Sequence, residues 1–209
     1  MIDFVQRVFH VASNHDNQRF INDNILLVSY EDGYWCGTGM YFWDNKSNAY
    51  YWLRKRKDSS TISEAILKCS TDDILDLTDK ETCINLINSA KSILDKMDEE
   101  DRIKLDFNQT GAVINFVYNY YVKELGKVAF KVVKMQGLYG DPELITSIYD
   151  ETIKYPHPTI RAKTIYAVRE NKLLNQRQEV KLMSFKFDLD AIKEAPKLSK
   201  KASKALHLS

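Results

Sequence analysis

A handful of residues near the start of the chain are of types that do chemistry. His10 stands alone in an apolar, β-branched run, Gly33, Gly37 and Gly39 crowd a stretch full of aromatics, and Tyr41 and Tyr50 follow. A strand bearing a His, a Gly-rich loop, a strand with a Tyr and a helix with another make a cleft where polar and aromatic groups converge. Such a cleft suits a flat heteroaromatic ligand. The competing reading is structural. A lone His on an apolar strand commonly serves as a satisfied core residue, and Tyr41, Phe42, Trp43, Tyr50, Tyr51 and Trp52 at strand and helix spacing also read as core.

Other chemistries find less support. His15, His157 and His207 have no partners at metal-ligand spacing, and Cys36, Cys69 and Cys83 form an odd set without a C-x-x-C pair. No Ser or Cys sits in a nucleophile elbow, and Asp72, Asp73 and Asp76 lack the oxygen-ligand spacing of a calcium loop. The basic run Arg54-Lys55-Arg56-Lys57 fits phosphate binding, and equally fits the cationic C-terminal end of a helix.

The elements that must position these residues follow from local pattern. A strand is expected over 7–12, then cap-type residues at 14–16 and a short helix over 18–25. A Gly-rich loop spans 28–39, a short strand 40–43 and an amphipathic helix 46–56. Strands are expected at 65–69 and 74–77, a helix over 80–97, a loop or new helix from 98, a Tyr-rich helix over 112–125, and strands at 128–135, 163–169 and 180–187. With no internal repeat and no linker, the chain reads as one domain over 1–192. Residues 193–209 hold five lysines and form a basic, flexible tail.

Composition bounds the partners. The 209 residues are 44% hydrophobic and 28% charged, the balance of a globular chain long enough for one substantial core. Thirty Lys and Arg against 29 Asp and Glu leave no global field to recruit nucleic acid or an anionic membrane. Asp3, Gln6 and Arg7 interrupt any signal-peptide core, and no apolar run reaches membrane-spanning length, so a cytoplasmic protein with no membrane partner is expected.

Two segments carry a family resemblance. The strand Val8-Phe9-His10-Val11-Ala12-Ser13 resembles the His-x-Thr/Ser opening of ADP-ribosyltransferases of the diphtheria-toxin and poly(ADP-ribose) polymerase type. Gly37-Thr38-Gly39-Met40-Tyr41-Phe42 is similar to that superfamily's Gly-x-Tyr-Phe strand, and Asn45 to Tyr50 to the Ser-rich helix start that follows it. The resemblance implies an α+β fold with a split antiparallel sheet core, surrounding helices and a helical insertion. It implies NAD as substrate, with no metal. His10 would hold the nicotinamide-side ribose, Gly39 the carboxamide through its backbone, and Tyr41 and Tyr50 the nicotinamide faces, while Ser13 and Gly37 complete the pocket.

In such relatives a Gln or Glu near the start of a late strand faces the NAD. Here the matching positions are Lys163, Thr164 and Ile165, none acidic, and Thr164 is the candidate for that place. The implied activity is transfer of ADP-ribose to a macromolecule, protein, RNA or DNA, as in toxins of toxin–antitoxin or anti-phage systems, with an antitoxin as a further partner. Without the acid, the alternative is a catalytically silent module binding NAD, ADP-ribose or a partner protein. An RNA 2′-phosphotransferase-like activity is a weaker third option.

Overall fold

The β-branched and aromatic N-terminal run forms β1 (Phe4–Ser13), longer at both ends than its pattern suggested. The reason is non-local: β1 pairs residue for residue with β3 (Ser60–Cys69), from Phe4 opposite Cys69 to Ser13 opposite Ser60. The helix α1 (Asn14–Asn22) begins at once, with Ser13 as its cap, so the cap-type residues at 14–16 form its first turn instead of preceding it. Next come β2 (Met40–Trp43) and α2 (Lys46–Leu53), the latter capped by Asn45 and ending three residues short of the expected 56. The remaining elements are β4 (Ile74–Asp76), α3 (Lys80–Leu94), α4 (Thr110–Glu124), β5 (Val132–Leu138), β6 (Ala162–Val168) and β7 (Leu174–Glu179). The computed structural model describes residues 2–30, 34–56, 58–98, 104–139 and 162–180. The strand expected over 180–187, beyond Val180, and the tail 193–209 lie outside these residues.

The protein is α+β. Its described strands form one seven-stranded mixed sheet in the order β4-β5-β6-β2-β1-β3-β7. All neighbours are antiparallel except β4 and β5, which need a crossover and are connected through α3 and α4. Lys131 and Lys134 clip this parallel pair by bonding Asp73 at 2.6 Å and Asp76 at 2.7 Å.

Where a split antiparallel sheet core was expected, the described strands form one continuous mixed sheet, but one with a seam. Whereas β1 and β3 pair along their whole length, β1 meets β2 at a single register position, Phe9 opposite Trp43. On either side of it, side chains cross the seam in place of the backbone ladder. The Gln6 amide donates to the Asp44 carbonyl at 3.2 Å, and His10 reaches the Tyr41 carbonyl.

Alternate residues of each strand face opposite sides of the sheet, and both sides are covered. Phe9, Val11, Ile62, Ile165 and Ala167 pack against α3 and α4 through Leu86, Ala90, Ile93, Val113 and Val117. Val8, Met40, Phe42, Leu67, Tyr166 and Val168 pack with Phe20 of α1. Asn17, buried on α1, ties that helix to β3: its amide donates to the Thr61 carbonyl at 2.9 Å and its oxygen accepts from the Ser63 hydroxyl at 2.8 Å.

Candidate functional site

The seam places His10 where two strands part. Its Nδ1 lies 2.6 Å from the Tyr41 carbonyl oxygen. A carbonyl only accepts, so Nδ1 carries the proton and Nε2 keeps a lone pair. Burial pushes the His10 pKa down to about 4; the Tyr41 bond opposes this and the Arg56 charge adds to it. The ring is therefore neutral at neutral pH, a hydrogen-bond acceptor at Nε2, and it is flanked by the rings of Phe42 and Phe20 at 5.5 and 6.4 Å.

Beside it opens a cavity of about 350 Å³, at the lower end of the range for small-molecule sites. His10, Tyr41, Phe42 and Ile165 line it together with the aromatic rings of Trp35, Trp43, Trp52 and Tyr139. The chain has three tryptophans, and all of them line this cavity. Tyr139 stacks on Trp35 at 5.7 Å with 10° between the rings and meets Trp43 edge-on at the same separation. Arg56 stands at the mouth, and no Asp or Glu is among the described residues that line it.

The Gly-rich loop is held against this cavity from below. The Tyr41 hydroxyl donates to the Gly37 carbonyl at 2.7 Å and accepts from the Cys36 N–H at 3.1 Å. Asn115 Oδ1 on α4 accepts from the Thr38 N–H at 2.8 Å and from Arg169 Nη2 at 2.9 Å, while the Arg169 guanidinium lies 4.2 Å from the Tyr118 ring. Gly37 has φ +70°, and a Cβ there would come within 2.5 Å of Asn115 Oδ1 and 2.9 Å of the Gly111 carbonyl. At Gly39 a Cβ would press to 3.1 Å on the Ala167 Cβ. The Gly39 N–H and C=O are both bonded to Ser29, so its N–H is spent on that bridge instead of facing a ligand.

Of the expected site residues, His10 and Tyr41 come together in the cavity, and Gly37 and Gly39 build the loop behind it. Ser13, Tyr50 and Thr164 do not line it. Ser13 is the cap of α1, accepting from the Asp16 N–H and donating to Asp16 Oδ2 at 2.8 Å. Tyr50 lies with Lys46 Nζ 5.8 Å from its ring; two residues further, on another side of the helix, Trp52 enters the cavity instead. Thr164 meets the Gln136 amide at 3.5 Å, and its strand neighbour Ile165, facing the opposite side, reaches the cavity. Lys163 is buried, bonding Asn48 Oδ1 at 3.1 Å with its ammonium over the Tyr51 ring. Glu170 pairs with Lys172 at 2.8 Å, and neither Glu170 nor Glu179 lines the cavity.

Sequence reasoning missed Trp35, Trp52 and Tyr139 as site residues, and named Arg56 only within a basic run that fits phosphate binding or a helix end. Trp52 carried a signal, its place on the expected helix over 46–56; Tyr139, just after β5, carried none, since it is brought in by pairing of β5 with β6. Two further grooves, of about 410 and 580 Å³, run along α3 and α4. Asn, Ser, Lys and Tyr line much of them, with Glu124 in the larger, and neither brings a His together with several aromatic rings, which leaves the seam as the better candidate.

No protein-family model and no solved structure matches the chain. An uncharacterized protein of Methanocaldococcus jannaschii is similar to it, 28% identical over 140 residues that cover 60% of this chain and 62% of the relative. The chain thus spans about three-fifths of that relative's length.

Proposed function

We propose that the seam cavity binds NAD by its nicotinamide and adjoining ribose, and that the protein is an ADP-ribosyltransferase-like enzyme that passes ADP-ribose to a macromolecular acceptor. The observation carrying this reading is the convergence, at a parted sheet, of a neutral His10 locked to the Tyr41 main chain with Tyr41 and three tryptophans. Electron-rich indole faces suit the cationic nicotinamide ring, and His10 Nε2 can accept from a ribose hydroxyl. Holding the ribose while the nicotinamide leaves would favour an oxocarbenium-like transition state and present the anomeric carbon to the acceptor.

The reading extends to an acceptor of protein, RNA or DNA, to a toxin or anti-phage role and to an antitoxin partner. It is tested by incubating the full chain with NAD labelled in its adenylate and a lysate of protein, RNA and DNA. Label entering a macromolecular fraction with the native chain and not with His10→Ala is the expected result. Label in neither sinks the transferase.

One observation favours a second reading, a module that binds NAD without turning it over: no carboxylate lines the cavity among the described residues, and a developing cation there lacks its usual electrostatic partner. Free nicotinamide in the same incubation separates the two, because a silent binder releases none.

A further inference from the structure

We propose that Arg56, fixed by Asp58 at the mouth of the cavity, forms an anion subsite for the phosphate attached to the ribose of a nicotinamide nucleotide; this rests on the NAD reading above. Within the basic run after α2, Arg56 is the described residue that lines the cavity, whereas the Lys55 ammonium sits 4.5 Å from the Tyr51 ring. Asp58 grips the guanidinium with both oxygens, at 3.0 Å from Nε and 2.6 Å from Nη2, and the Ser60 hydroxyl braces Asp58 at 2.5 Å. The Arg56 bonds hold that carboxyl well below the usual carboxylate range.

A guanidinium has five N–H groups in a rigid fork. Two go to Asp58 along the Nε–Nη2 edge, and among the described residues no other hydrogen bond takes the rest. The Nη1–Nη2 edge is thus presented with its direction already set, the edge that matches two oxygens of a phosphate. The charge is felt inside the cavity, since it lowers the His10 pKa. Arg56, exposed, and His10, half-buried, line one cavity. A ligand stacked on the indoles with its ribose at His10 therefore directs its 5′ substituent outward, toward Arg56. A riboside leaves that edge unused, and a phosphorylated nucleotide fills it. Because Arg56 is exposed at the mouth, solvent screens the pair and the selectivity is modest.

The test titrates the full chain and Arg56→Gln with nicotinamide riboside, nicotinamide mononucleotide and inorganic pyrophosphate. The native chain is expected to prefer mononucleotide over riboside by about tenfold, the size of one charge-assisted contact. Arg56→Gln is expected to keep the riboside affinity, which shows that it folds, and to lose most of that preference. A native chain without the preference, or a variant that retains it, overturns the subsite. If neither nucleotide nor riboside binds the native chain, the NAD reading has failed by itself. Pyrophosphate binding that needs Arg56 then still upholds the anion site, and its absence overturns that too.

Discussion

His10 does two things that share one geometry. Its Nδ1–H closes a gap in the sheet that the backbone leaves open, and that bond fixes which nitrogen remains to meet a ligand. The same enclosure sets a pH dependence. The folded-state pKa of about 4 lies below the ordinary 6.5, so between these values the unfolded chain binds a proton that the native chain does not. His10 therefore costs nothing above pH 6.5, and stability falls as pH drops from about 6.5 to about 4, by a ceiling of roughly 3 kcal/mol. Chemical denaturation across this window should show that slope in the native chain and a flatter one in His10→Gln. Equal slopes would mean that His10 is not the group that resists protonation. At this scale the sequence was half legible. His10 and Tyr41 announced themselves by type and context, while Ser13 turned out to be spent on capping and Thr164 to face away, because side-chain direction depends on strand phase.

At the level of elements, short-range pattern located β2 and the starts of α2 and α3 well. It misjudged what pairing alone decides. The N-terminal half of β3 (Ser60–Cys69) is polar and the strand was expected only from 65, yet it is strand from Ser60 because β1 lies alongside for ten residues. The polar run Leu174–Glu179 has no alternating apolar pattern and pairs only as the edge strand β7. The phase of α2 decided that Trp52, and not Tyr50, would line the cavity, and the turn that ends the helix brings Arg56 to it. The loop before β2 offers a sharp test at this scale. Gly37→Ala must place a Cβ against Asn115 Oδ1 and the Gly111 carbonyl at positive φ. The cost should be about 2–4 kcal/mol from backbone strain and overpacking together. Thermal melts should show the loss, and any ligand that uses Trp35 should bind the variant more weakly even below its melting range. A melt within a degree of the native one would show that the loop is not held as described.

For the molecule as a whole, the α+β class was legible from the mixture of strand and helix periods, and the site's general position from two motifs. That the strands join in one sheet was not, because the seam depends on a register between β1 and β2 that no local pattern encodes. Among the described residues, no helix is long and apolar enough to cross a membrane. The seam also explains why the cavity is where it is: two halves of a sheet, joined by the Phe9–Trp43 backbone pair and by side-chain bonds from Gln6 and His10, leave a gap that aromatic residues from separate elements wall in.

Because the chain's three tryptophans all line that gap, intrinsic fluorescence reports its occupancy directly. Titrating the full chain with NAD while exciting tryptophan should give a saturable quench. His10→Ala should shift the quench to at least about tenfold higher NAD, the cost of a lost buried hydrogen bond. No saturable change with NAD in the native chain, under conditions where the protein is folded, would contradict the assignment of the seam as a nicotinamide nucleotide site.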